Sequence, residues 1–145
     1  MTMFFSYDES IGILTNEVSR KIVHYLTMHL ESHNITPAQW VVLFRLSQQD
    51  GLSQTELAKR VNRDQPTLAR ILDILENKNL IERRASKEDR RSFIILLTAK
   101  GTSLVQELAP YVENVYQKML RGISKENLTI YSQTLNAIKN NILAD

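Results

Sequence analysis

The 145-residue chain contains no cysteine and has only four glycines and three prolines. Without cysteine, the protein cannot form disulfide frameworks, thiolate zinc sites or thiol redox switches, and a cytoplasmic location is favoured. No apolar run approaches the roughly 18 residues that a membrane span requires. Residues 1–10 also lack the basic and apolar regions of a secretion signal. We therefore expect a protein that is neither exported nor inserted in a membrane.

The chain also carries little net charge, because 18 Lys and Arg residues oppose 16 Asp and Glu residues to give +2. Such a balance does not by itself indicate a polyanionic partner. Hydrophobic residues make up 43% of the chain and charged residues 23%, which is typical of a globular protein. The length suits one domain spanning residues 1–145, and the scarcity of chain-breaking residues favours long helices.

The first half of the sequence predicts four helices from apolar spacing and capping signals. Apolar residues recur every three or four positions over residues 9–33, which predicts an amphipathic helix. Residues 36–39 (Thr-Pro-Ala-Gln) form a capping box that begins a second helix, and Ser53 begins a short third helix with another box. Asp64 is expected to cap a fourth helix that ends near residues 77–79.

Two short segments that come next lack the helical spacing of apolar residues. Residues 80–84 and 92–97 are rich in β-branched and aromatic side chains and are too short for ordinary helices. The charged residues 85–91 between them are typical of an exposed hairpin tip. We therefore predict a mainly α fold with a small antiparallel β wing of two or three strands.

Two more helices are expected at the C-terminal end. Thr98 begins a fifth helix interrupted at Pro110, and Ser124 caps a sixth helix. The sixth helix carries a narrow apolar seam. This seam and two apolar positions of the first helix need a partner surface. The predicted dimerisation residues are Ile11, Leu14, Leu128, Tyr131, Leu135, Ile138 and Ile142.

Positive charge is concentrated in one part of the chain. Residues 59–91 contain ten basic and six acidic residues, a net charge of +4, whereas the remaining residues sum to −2. A charge run alone is more often a solvated face than a binding site. Here, however, the third and fourth predicted helices are separated by a tight turn and followed by the basic hairpin, a pattern typical of a helix-turn-helix that binds DNA.

Several short motifs resemble the MarR family of winged helix-turn-helix transcription regulators, and its SlyA-like branch in particular. The motifs run in order from Ile35 to Trp40, Gln54 to Ala58, Gln65 to Leu68, Leu75 to Ile81, and Asp89 to Arg91, with Leu97 and Thr98 after them. The resemblance implies a DNA-binding lobe over residues 36–98 and interlocking dimerisation helices over residues 9–33 and 99–145. It further implies a homodimer on a pseudo-palindromic operator, most simply a repressor, whose affinity changes with a small effector.

The fourth helix is the expected recognition helix. Its outward residues in the first two turns are Gln65, Pro66, Thr67 and Arg70. Gln and Arg side chains can read adenine and guanine edges in the major groove, while Pro66 or the Thr67 methyl can touch a thymine methyl. The alternative for Gln65 and Thr67 is contact with phosphate or water only.

The resemblance assigns the wing residues in the same way. Arg91 is expected to enter the minor groove while Asp89 holds its guanidinium group. The remaining basic residues here are expected at phosphates, with a free surface charge as the alternative for Arg90. These residues are Arg83, Arg84, Lys87 and Arg90. Ser53 and Gln54 lie at a helix N-terminus, where main-chain amides can meet another phosphate.

The other candidate sites are weaker. A small aromatic or anionic effector could be bound by His24, Tyr25, Trp40, Arg45 and Tyr111, although Trp40 is more often a core residue. His29 and His33 have a spacing that could bring two imidazoles to one metal, but no third ligand is evident, so no metal or other cofactor is expected. We also find no catalytic constellation and expect no enzyme. The alternative function is a winged-helix module that binds another protein and no DNA.

Overall fold

The structure is a computed structural model that describes residues 8–89 and 91–145. Six α-helices and a three-stranded sheet form the fold, which confirms the predicted class. The elements are α1 (Leu14–Leu30), α2 (Pro37–Gln48), β1 (Leu52–Ser53), α3 (Gln54–Val61), α4 (Gln65–Asn77), β2 (Ile81–Ala85), β3 (Phe93–Leu97), α5 (Ala99–Met119) and α6 (Lys125–Leu143). A π-helical segment (Asp8–Ile13) precedes α1 and a 3-10 turn (Glu31–His33) follows it, so the predicted first helix consists of three segments.

The helices begin where their capping residues predict. Thr36 Oγ1 accepts the Gln39 main-chain N–H at 3.1 Å, and Gln39 Oε1 accepts the Thr36 N–H at 3.2 Å. Asp64 and Ser124 accept one main-chain N–H each at the starts of α4 and α6, at 2.8 and 3.1 Å. Ser53 accepts the Glu56 N–H at 3.1 Å, but only this half of the predicted capping box is present.

The sheet is antiparallel with the order β1-β3-β2. Residues from Ile81 to Ala85 pair with residues from Leu97 to Phe93, so both predicted strands are confirmed within one residue. The sequence did not single out β1, whose two residues pair with Ile95 and Ile94. A two-residue segment is too short to show any alternation, and its pairing depends on the distant strand β3.

The chain divides into two compact units, and the boundary lies within α5. The first unit ends at Tyr111 and the second covers residues Val112–Asp145. In the first unit, the core is built from fully buried leucines of α2, α3 and α4 together with strand residues, and each buried leucine contributes about 1.5 to 3 kcal/mol. The fully buried residues of this core include Leu43, Leu46, Leu57, Leu68, Leu72, Leu75, Ile81 and Ile95.

In the second unit, Val112 and Val115 of α5 are buried, whereas α6 has no buried residue. Helix α5 runs without a break through Pro110, where an interruption was expected. Within the described residues, every helix is too short or too polar to traverse a lipid bilayer.

Candidate nucleic-acid interface

The turn between α3 and α4 gives the first unit a helix-turn-helix. Asn62, the residue that follows α3, adopts the left-handed conformation with φ of 54°. Asn tolerates this conformation better than most side chains. The Arg63 N–H then donates to Ala58 O at 3.0 Å, and Asp64 begins α4. Because Leu57 and Leu68 are both fully buried, the apolar faces of the two helices point into the same core.

Burial on one side of α4 leaves the predicted recognition residues on the other side. Gln65, Pro66 and Arg70 are exposed, and Thr67 is half-buried. The Gln54 side chain at the start of α3 donates to Gln65 Oε1 at 3.5 Å, so the structure brings these two predicted contact residues together. This contact is at the long limit for a hydrogen bond and leaves the Gln65 side chain exposed.

Asp64 is an acidic residue within this basic surface. The Thr67 main-chain N–H holds the pKa of the Asp64 carboxyl below its usual value, and the positive charges of Arg70 and Arg63 act in the same direction. The Asp64 carboxylate caps the first turn of α4. An open hollow of about 470 Å³ lies beside it, with Lys59, Arg63 and Gln65 among its lining residues.

The wing tip is ordered by short polar contacts. Ser86 N–H donates to Ser92 O at 3.0 Å, and Ser86 Oγ accepts the Glu88 N–H at 3.2 Å. Asp89 Oδ1 accepts the main-chain N–H of Arg91 at 3.0 Å. Asp89 thus holds the main chain of Arg91, and the ion pairs found among the described residues do not include one between Asp89 and the Arg91 guanidinium group.

The basic side chains of the wing fall into different environments. Lys87 and Arg91 are exposed, and Arg90 lies outside the described residues. Arg84 is also exposed and forms an ion pair with Glu82 on the same strand. The exposed side chains are accessible to a large anionic partner.

The structure places Arg83, a predicted phosphate contact, against the recognition helix. Its guanidinium group points toward α4, where Nη2 lies 2.7 Å from Asp73 Oδ1 and 3.3 Å from Ala69 O. The side chain is only 22% exposed. Sequence reasoning missed Asp73, since nothing in a helical pattern shows which basic residue of a later strand will face it.

The predicted effector residues do not converge on one cavity. The Tyr25 ring lies 4.4 Å from the His29 ring, and Tyr111 donates its hydroxyl to His29 O at 3.0 Å. Trp40 is buried and stacks on Phe44, which fits its alternative role in the core. The remaining two predicted effector residues, His24 and Arg45, are exposed. Two open cavities of about 410 and 400 Å³ in the first unit are lined by other residues.

The two histidines at metal-ligand spacing have other contacts. His29 Nδ1 lies 2.8 Å from Tyr25 O, and the His33 ring packs 5.1 Å from the Tyr111 ring. No group of three His, Asp or Glu side chains suited to a metal occurs in residues 8–89 and 91–145.

The predicted dimerisation residues lie near the two ends of the chain. Ile11 and Leu14 at the N-terminal end are exposed. On α6, Tyr131 and Ile142 are exposed. The other three seam positions, which are half-buried, are Leu128, Leu135 and Ile138.

Comparison with known proteins places these features in a family. The MarR family model matches residues 35–93, which run from just before α2 to the first residue of β3. The structure of S. aureus MepR in complex with DNA is 29% identical, with a TM-score of 0.84, covering 92% of this chain and 99% of that chain. The transcriptional repressor CouR, bound to a 23-mer DNA duplex, is 26% identical with a TM-score of 0.83, covering 90% and 93%.

A third match is a mutant of MarR from E. coli complexed with operator DNA. It is 25% identical with a TM-score of 0.82, covering 88% of this chain and 92% of that chain. The resemblance to the SlyA-like branch stays a prediction. The helix-turn-helix, the basic wing, the family model and these matches agree, and over residues 35–93 the chain belongs to the MarR family of winged helix transcription regulators.

Proposed function

We propose that this protein is a repressor that binds a pseudo-palindromic DNA operator as a homodimer and releases it in response to a small effector. The observation that carries the proposal is the pairing of a polar, exposed face on α4 with an exposed basic wing. MepR, CouR and E. coli MarR, which share this fold at 25 to 29% identity, are described in complexes with DNA. CouR is also named as a repressor.

In the proposed complex, α4 enters the major groove and the wing reaches the adjacent minor groove. Gln65 and Arg70 read base edges, with the Gln54 contact orienting Gln65. Arg91 enters the minor groove, where a narrow groove concentrates negative potential. Arg84 and Lys87 contact phosphates. Two such lobes related by dimer symmetry would read half-sites about 10 bp apart.

The homodimer is supported by the apolar surface of the terminal helices. In the single chain, Ile142 is 69% exposed and Tyr131 is 51% exposed on α6, and Leu14 is 55% exposed on α1. Large apolar side chains at helical spacing that stay exposed mark an interaction surface. A second copy of the chain offers the same surface, as two-fold symmetry requires.

The effector is proposed to be small and aromatic or anionic. Two of the predicted effector residues, Tyr25 and Tyr111, lie in half-buried aromatic contacts with His29 and His33, and rings of this kind stack against planar ligands. Such a ligand would act by favouring a separation of the two lobes that does not match the operator.

Fluorescence anisotropy with the DNA upstream of the protein's own coding region, and with a shuffled duplex, tests DNA binding at two salt concentrations. We expect the native duplex to bind about a thousandfold more tightly than the shuffled duplex.

Arg91→Ala should weaken binding to both duplexes and lower the salt dependence of binding. Gln65→Ala or Arg70→Ala should cost about 1 to 3 kcal/mol and relax preference at one position. Lys21→Ala, which removes an exposed charge from α1, is the matched control.

If the native and shuffled duplexes bind equally, a selection from genomic DNA follows. Recovery of a common palindromic sequence would support the proposal with a different operator. Recovery of no sequence would overturn it in favour of a winged module that binds another protein. An Arg91→Ala variant that matches the wild type at both salt concentrations would remove the wing from the interface.

A further inference from the structure

Arg83 joins the wing to the recognition helix. From β2, a single nitrogen of its guanidinium group reaches Asp73 Oδ1 at 2.7 Å and Ala69 O at 3.3 Å. Ala69 and Asp73 are one turn apart on α4, so the contact spans a full turn of that helix. Their separation in sequence from Arg83 is 14 and 10 residues, so this contact links two elements.

The environment of this pair is unlike that of the neighbouring ion pair. Arg83 lies opposite Ile95, which is fully buried, and its side chain is 22% exposed. Its Nε atom is buried without a hydrogen-bond partner among the described residues. The Arg84 side chain, by contrast, is 65% exposed, while the two carboxylate partners, Asp73 at 62% and Glu82 at 44%, are both open to water. The Arg83 guanidinium group is thus the shielded member of its pair, and its second acceptor, Ala69 O, also lies on α4.

We propose that the Arg83–Asp73 pair positions the recognition helix relative to the wing, and that Arg83 contacts no phosphate. The inference rests on the proposed DNA binding, in which α4 and the wing occupy neighbouring grooves at the same time. Two binding elements held at a fixed separation lose less freedom on binding than two that move independently. Arg83 and Asp73 are therefore positioning residues.

The effect of removing one negative charge distinguishes the positioning role from simple electrostatic attraction to DNA. Asp73→Asn removes a negative charge from the helix that approaches DNA, so attraction to phosphate alone predicts tighter binding. Disruption of the positioning pair predicts weaker binding. We expect Asp73→Asn to bind the operator about three- to tenfold more weakly than the wild type.

Salt dependence supplies the second test. If Arg83 neutralised a phosphate, Arg83→Met would reduce the slope of log K against log salt by about 0.9. The positioning role predicts weaker binding with an unchanged slope. The double variant Asp73→Asn/Arg83→Met should bind no more weakly than the worse single variant, because both changes break the same ion pair. Glu82→Gln, which breaks the exposed neighbouring pair, is the control and should bind as well as the wild type or better.

Hydrogen exchange provides a readout without DNA. Asp73→Asn should speed amide exchange in residues 65–77 and 81–85, and Glu82→Gln should not. Should Arg83→Met fail to fold, Arg83→Lys keeps the charge on a shorter side chain, and it should bind the operator more weakly than the wild type with an unchanged salt slope. Tighter operator binding by Asp73→Asn, or a slope reduced by about 0.9 in Arg83→Met, would overturn the proposal. If the wild type binds no DNA but Asp73→Asn loosens both segments, the proposed function fails while the contact between helix and wing stands.

Discussion

Asparagine ends three of the helical segments in the left-handed conformation. Asn34, Asn62 and Asn79 have φ values of 57°, 54° and 61° and follow the 3-10 turn, α3 and α4. Asn enters this region at lower cost than other side chains apart from glycine. The chain thus makes sharp turns with few glycines, and one of these turns sets the angle between the two helices of the helix-turn-helix.

At the residue scale, Asp64 should make stability depend on pH. Its pKa in the fold is lowered, first by the Thr67 main-chain N–H and then by neighbouring arginines. Because the pKa of Asp64 is lower in the folded protein than in the unfolded chain, its ionised form stabilises the fold. This stabilisation is fully present above the ordinary aspartate pKa of about 3.9 and is lost as the pH falls through the pKa of the folded state. Asp64→Asn keeps a capping acceptor but cannot titrate.

We therefore expect the melting temperature of the wild type to exceed that of Asp64→Asn by a constant amount above about pH 5, with the difference shrinking below about pH 4. Thermal denaturation followed by circular dichroism measures it. A difference that stays constant down to about pH 2 would contradict the assignment.

At the element scale, Gly101 allows α5 to approach the start of the wing. A Cβ atom added at this position would lie 2.1 Å from Leu80 O, a main-chain atom that also accepts the Thr98 N–H at 3.1 Å. The helix or the strand would have to shift. Gly101→Ala should therefore destabilise the protein by about 1 to 3 kcal/mol, despite the better helix propensity of alanine.

Urea denaturation measures this effect. Gly12→Ala is the control, because a Cβ atom there meets no described atom within 4 Å. This control should be neutral or slightly stabilising. Equal midpoints for Gly101→Ala and the wild type would show that the two elements have room to separate.

At the scale of the whole molecule, the exposed seam of α6 should hold two chains together. Sedimentation equilibrium should give about twice the chain mass of 16.8 kDa for the wild type. The double variant Tyr131→Asp/Ile142→Asp places charges on exposed seam positions and should shift the protein to the monomer. The double variant Gln133→Glu/Asn140→Asp adds the same two negative charges to exposed positions off the seam and should stay dimeric.

Circular dichroism of the double variant separates dissociation from unfolding. A monomeric wild type at micromolar concentration would contradict the dimer. A double variant that stays dimeric would move the interface away from this seam.

The sequence by itself determined the features that depend on neighbouring residues. The spacing of apolar residues and the side chains of Thr36, Ser53, Asp64 and Ser124 predict where helices begin, because a cap and its helix lie within four residues. The β-branched and aromatic residues of the segment 92–97 likewise predict β3. The order of these elements and the position of the basic residues were enough to predict the winged fold.

Only the tertiary structure decided how the wing uses its two adjacent arginines. Arg83 and Arg84 are the same residue type, but neighbours on a strand point to opposite faces. Pairing with β3 puts Arg83 on the face of Ile81 and Ile95, toward α4, and leaves Arg84 exposed. The same long-range pairing turns Leu52–Ser53 into a strand. Register and packing join residues far apart in the chain, and local sequence does not encode which face of a strand they will bury.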